Sequence, residues 1–124
     1  AAQLAERGCP NLTAISQQLL VAIEAYETVV GWVVQNYKSD VRAVFAGSAN
    51  YLELAGIVHG GWQMARAALV AHTRKQAGED VEFHSAKIVT ARFFAEHFMS
   101  RAIGLRDTVT RGATGVLAME EAAF

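Results

Sequence analysis

A chain of 124 residues with a single proline, Pro10, has nothing beyond its first ten residues that breaks a helix by ring clash. Apolar spacing then decides the structure. Along three long stretches the apolar residues recur at intervals of three and four, and alternation over four or more residues never persists, so no strand is expected. The expected fold is all-α: an antiparallel bundle of three long helices plus short helical pieces, similar to a four-helix bundle. No internal repeat stands out at a period of roughly 20–50 residues. Residues 1–10 read as a linker or the end of a preceding element, and residues 11–124 as one helical bundle domain.

The middle helix, Tyr51 to about Gln76, organises the rest. Wound at about 100° per residue, it sets Tyr51, Leu54, Ala55, Val58, Trp62, Ala65 and Leu69 on one face, an ordinary core stripe. The opposite face carries Gly56, Gly60, Ala67 and Ala71, edged by Ile57 and Met64. Each interior glycine costs about 1 kcal/mol relative to alanine, so Gly56, Gly60 and Gly61 together cost about 3 kcal/mol. Close approach of another helix backbone along the small-residue groove would offset that. The expectation is a central helix packed on two sides, with Gly60→Leu destabilising the fold or its assembly by more than about 2 kcal/mol.

Before it, Asn11 is a fair N-cap for a helix whose stripe is Leu12, Ile15, Leu19, Ala22, Ile23, Tyr26, Val30, Val33, Val34 and Tyr37. Val21 and Trp32 fall on its otherwise polar back. Lys38, Ser39 and Asp40 end it, a short helical turn spans about 40–47, and Gly47 and Ser48 reset the direction. Ala77 and Gly78 stop the middle helix just after Arg74 and Lys75, cations placed where the helix dipole favours them. Asp80 caps a third helix that runs to Gly112 with the stripe His84, Ile88, Ala91, Phe94, Ala95, Phe98, Ala102, Leu105 and Val109. Its polar side holds Arg92, Glu96 and Asp107, but also Val89, Phe93 and Ile103, a second apolar strip that implies a partner. One more short helix is expected around Val116–Met119.

The chain is 52% hydrophobic and 19% charged, against a usual ~25% charged, so part of its surface reads as covered by something a free monomer lacks. A net charge of −1 gives no electrostatic case for nucleic acid or an anionic membrane. No apolar run is long enough to span a bilayer, and the start lacks the pattern of a signal peptide. The lone Cys9 excludes an internal disulfide and fits a reducing, cytoplasmic compartment. The absence of an initiator methionine reads as a processed chain or a fragment.

Enzymatic constellations fail on spacing. Among His59, His72, His84 and His97, none has Glu three residues before it and no two share an i,i+4 spacing, so neither the di-metal nor the zinc helix signature is present. His72 or His84 would suffice as a haem ligand, although a core or surface histidine is the simpler reading. Cys9 lies in the linker, no serine sits in a nucleophile elbow, and Gly60-Gly61 lies mid-helix where its N–H groups are already bonded. Glu53 reads as a solvated carboxylate. No position is assigned a catalytic, cofactor-binding or metal-binding role.

Two stretches, YLELAGIVHGGWQMARAAL (51–69) and KIVTARFFAEHFMSRAIGL (87–105), resemble the C-terminal helical extension of a subgroup of large acyl-CoA dehydrogenases. The likeness takes in the closing GATGVLAMEEAAF and covers roughly residues 11–124. It implies an intact enzyme that oxidises an acyl-CoA to a 2-enoyl-CoA with FAD. There a glutamate removes the α-proton, the flavin accepts the β-hydride, and electrons leave to an electron-transfer flavoprotein. Those parts belong to a flavoprotein body, and no segment here matches them. On this resemblance the chain is the non-catalytic extension, serving assembly or active-site architecture, with no cofactor of its own and a homo-oligomeric tendency. Two alternatives stay open: a free-standing module that homodimerises through Phe93 and the Gly56/Gly60 groove, and a cofactor-binding bundle.

Overall fold

In a computed structural model, which describes Leu4 and residues 8–123, every regular element is helical. Helix α1 spans Pro10–Asn36, α2 Val41–Ala46, α3 Ser48–Gln76, α4 Val81–His97, α5 Ala102–Arg111 and α6 Ala113–Leu117; single 3-10 turns occupy Met99–Arg101 and Glu121–Ala123. The proline stands at the start of α1, where its missing N–H is no loss, so Cys9 rather than Asn11 takes the capping position. The predicted breaks hold elsewhere. The Asp40 carboxylate accepts from Ala43 N–H at 3.1 Å, and the Asp80 carboxylate accepts from Phe83 N–H at 3.4 Å. Asp80 and Gly78 both take the left-handed conformation, with φ of 33° and 79°, and this turns the chain between α3 and α4 in four residues.

Contacts fix the helix directions. On α3 and α4–α5, Glu53 pairs with Arg101 while Gly60, further along α3, faces the earlier Phe94, so the numbering runs in opposite senses. Tyr26 meets Tyr51 while Cys9 and Asn11 lie near His72 and Gln76, which makes α1 antiparallel to α3 as well. Asn11 accepts a 2.9 Å hydrogen bond from Arg92, and the far end of α1 lies by Arg106 and Arg111, so α1 and α4–α5 run parallel. The result is a three-rod bundle, closed at one end by α2 packed on α6.

The core is Leu12, Ile15, Leu19 and Val29 from α1, Leu54, Ile57 and Val58 from α3, and Ile88, Met99, Leu105 and Val109 from the third rod, with Leu4 added at 4% exposure. Between these lie the buried alanines 22, 25, 65, 68, 91, 95 and 102, which let the rods approach closely.

Three details of the expected stripes shift. Along α1 the buried positions go from Ala22 to Ala25 and Val29, whereas Val34 and Tyr37 are exposed; a straight helix drifts past a stripe drawn through every large residue. On α3, Trp62 is half exposed, and Ile57, Gly61, Ala68 and Ala71 are buried in its stead. The third rod is not continuous. It tightens into a 3-10 turn at Met99–Arg101, which points Met99 into the core and leaves Phe98 partly outside.

The small-residue face of α3 splits in consequence. A methyl on Gly56 would meet nothing within 4 Å, and one on Gly60 would meet only the edge of the Phe94 ring, at 3.3 Å. Gly61 is where the neighbour comes close: a methyl there would lie 2.9 Å from Met99 Cγ and nearer still to its sulfur.

Candidate functional site

The structure disperses the histidines. The His59 ring bonds through Nδ1 to the Ala55 carbonyl at 2.7 Å and stands edge-on to Tyr26. His97 stacks on Phe93 with ring centroids 4.2 Å apart. His72 lies beside Cys9 in a small cleft at the α1–α3–α4 junction, with a buried, unpartnered Nε2. His84 is buried near the start of α4 with an unpartnered Nδ1. Among the described residues no group of three or more His, Cys, Asp or Glu converges as metal ligands would. Glu53 is a surface carboxylate on α3, paired with Arg101 of the 3-10 turn and still partly exposed. Among the described residues no helix is long and apolar enough to cross a membrane.

Among the described residues two sites have perturbed protonation. Arg106 Nε donates to the adjacent Asp107 at 2.9 Å; that bond holds the Asp107 carboxyl below its usual range and raises Arg106. The Tyr26 and Tyr51 hydroxyls lie 3.3 Å apart, and Tyr51 is raised above its usual 10.0, first by that hydrogen bond and then by desolvation. The folded state therefore keeps a proton that the unfolded chain gives up. This contribution is whole below about pH 10 and fades as pH climbs through the raised folded value. Thermal melts should show Tyr51→Phe losing stability less steeply than the parent between about pH 9 and 11. Parallel slopes for the two proteins would show that the hydroxyl pair does not hold that proton.

The feature that the sequence placed best is the outer apolar strip. Val89 and Phe93 lie one turn apart on α4, 60% and 53% exposed, and Ile103 on α5 is 44% exposed. Phe98 makes an edge contact with Phe93 and stacks on Phe94, so the strip is continuous with the core side of the same rod. Sequence reading missed a second surface, a groove of about 410 Å³ between α3 and α4 with Arg66, Arg74, His84 and Lys87 on its walls. Each of these reads alone as a solvated cation or a core histidine, and only the register of α3 against α4 brings them together.

Comparison with known proteins agrees with the geometry. Residues 1–120 match the family described as acetyl-CoA dehydrogenase C-terminal like. Over 96 residues the chain is 34% identical to the 3-methylmercaptopropionyl-CoA dehydrogenase of Ruegeria pomeroyi, an alignment covering 77% of this chain and 16% of that protein. Over 93 residues it is 28% identical to a broad-specificity linear acyl-CoA dehydrogenase of Mycobacterium tuberculosis, covering 70% of this chain and 15% of that protein. The matched stretch is thus about a sixth of either relative's length. No solved structure matches the chain. An all-helical bundle whose length matches a family of dehydrogenase C-terminal domains leads to one conclusion: the chain belongs to the acyl-CoA dehydrogenase C-terminal-like family.

Proposed function

We infer that this chain is the non-catalytic C-terminal helical domain of an FAD-dependent acyl-CoA dehydrogenase, and that it serves assembly by docking on the flavoprotein body. The observation that carries this is the exposed strip Val89, Phe93 and Ile103 in a member of a family whose relatives extend far beyond the matched stretch. Large apolar side chains left exposed together, as Val89 and Phe93 are one turn apart on α4, mark an interaction surface. The division into residues 1–10 and 11–124 belongs to this reading too, although Leu4 packs on the bundle core; residues 1–3, 5–7 and 124 lie outside the described residues.

The intact enzyme would oxidise an acyl-CoA to a 2-enoyl-CoA, pass electrons to an electron-transfer flavoprotein, assemble as a homo-oligomer and work in the cytoplasm. FAD would supply the hydride chemistry in the body. In the cleft beside Trp32 the flanking Arg106 and Asp107 are already paired with one another, so they leave no free polar partner for an isoalloxazine there. No catalytic step is assigned to this chain.

Expression of the body and of this chain as separate polypeptides tests the reading. The two should co-elute, and the double substitution Val89→Glu/Phe93→Glu should weaken the association at least about tenfold, or about 1.4 kcal/mol. Association left intact by that variant, or none between the parent proteins, would sink it. The exposed Phe93 also favours a second reading, self-association of the chain alone. That reading predicts a dimer at high micromolar concentration which Phe93→Glu dissociates, with no affinity for the body.

A further inference from the structure

We propose that the groove between α3 and α4 binds the phosphate-bearing part of a nucleotide. Arg66 and Arg74 are eight residues apart on α3, so they share a face about 12 Å in length. Lys87 follows His84 by three residues on α4, again on one face. Antiparallel packing sets the two faces opposite each other across a cavity of about 410 Å³, within the usual ~300–1,000 Å³ of small-molecule sites.

The charge state of these groups sets the groove apart. Elsewhere Arg92, Arg101 and Arg106 each hold a carboxylate within 3 Å. In the groove, Arg74 reaches Glu79 only at 3.9 Å. Arg66 has an amide oxygen of Gln63 at 3.4 Å, and Lys87 lies 5.5 Å from the Phe83 ring centre. Among the described residues neither of these two cations has a carboxylate partner. The chain as a whole carries a net charge of −1, so this local excess of positive charge runs against its average. Arg66 is also preset. Its guanidinium lies 5.0 Å from the centre of the Trp62 ring, a stacking contact that steadies it.

A second observation points to a ligand. His84 is 8% exposed and lines the groove, yet its Nδ1 has no hydrogen-bond partner. Buried nitrogens are seldom left so; His84 Nδ1 is itself closed off from solvent, and a small rotation of the ring toward an oxygen held by the groove's cations would supply the missing partner.

The spread of the cations selects the ligand. Sites two helical turns apart suit anionic groups at two separated positions rather than one phosphate. Phe83, half exposed beside Lys87, offers a ring wall for a planar base. A long polyanion would meet the net negative charge of the remaining surface. Coenzyme A, with phosphates on both sides of its ribose, meets these requirements, and in that form the inference rests on the reading above. Nucleotide binding by this chain alone needs no body, so it is tested separately.

The experiment is calorimetric titration of the 124-residue chain with coenzyme A, ADP and pyrophosphate, beside Lys87→Gln and the triple variant Arg66→Gln/Arg74→Gln/Lys87→Gln. Circular dichroism melts check that each variant stays folded. Coenzyme A should saturate the chain and lose affinity as salt rises. It should bind at least tenfold more weakly to Lys87→Gln and not measurably to the triple variant, and binding should shift the His84 ring signals in nuclear magnetic resonance. ADP bound as tightly as coenzyme A would keep the nucleotide site and detach it from acyl-CoA. Three results would overturn the proposal. One is no saturation by either nucleotide below the millimolar range. Another is unchanged binding to the folded triple variant. The last is a triple variant that loses only its affinity for the flavoprotein body, which would assign the groove to an acidic protein surface.

Discussion

Met99→Ala is expected to destabilise the chain by about 2–5 kcal/mol, the range for truncating a buried methionine to alanine. Met99 is fully buried at the 3-10 turn that separates α4 from α5, and its thioether occupies the notch that Gly61 leaves on α3. Two things go wrong when it is cut back. Apolar surface is lost from the core, and the notch opposite, having no side chain of its own, cannot collapse to fill the gap. A domain of this size holds only about 5–15 kcal/mol in total, so the variant should melt far below the parent. Chemical denaturation would check it, and a loss under about 1 kcal/mol would show that the turn repacks around the hole.

Gly61→Leu is the reciprocal experiment, with an expected loss of about 3 kcal/mol or somewhat more. Helix propensity alone favours the change, since leucine outranks glycine by most of a kcal/mol. Crowding opposes it and wins, because the Cβ alone already overlaps the fully buried Met99, and a leucine adds three more carbons at that crossing. Gly56→Ala is the control. It lies on the same helix in open space and should gain about 1 kcal/mol from propensity. Combining Gly61→Ala with Met99→Ala should cost less than the sum of the two singles, the signature of groups that share one space. Strict additivity would show that the two residues do not share it.

These glycines show where sequence reading succeeds and where it stops. Periodicity identified a helix that has neighbours on more than one side, and it identified glycine as the residue type permitting close approach. It placed the approach at Gly56 and Gly60, one residue off the true crossing, because the rotation of α3 against α4 depends on which of Phe98 and Met99 turns inward. Nothing local decides that choice. Punctuation was easier to read: Gly47-Ser48, Ala77-Gly78 and Asp80 carry their conformations in their own chemistry, and all three fall at element boundaries. Around the candidate surfaces the same division holds. Val89, Phe93 and Ile103 stood out against a polar background on one helix, so their exposure was legible. The Arg66–Lys87 groove was not, since its members come from two helices and mean nothing until those are aligned.

Leu4, only 4% exposed and joined to the central cluster, carries a practical corollary. A probe side chain put in place of Leu4 itself would therefore sit in the hydrophobic interior, and its signal would report the loosening of that interior.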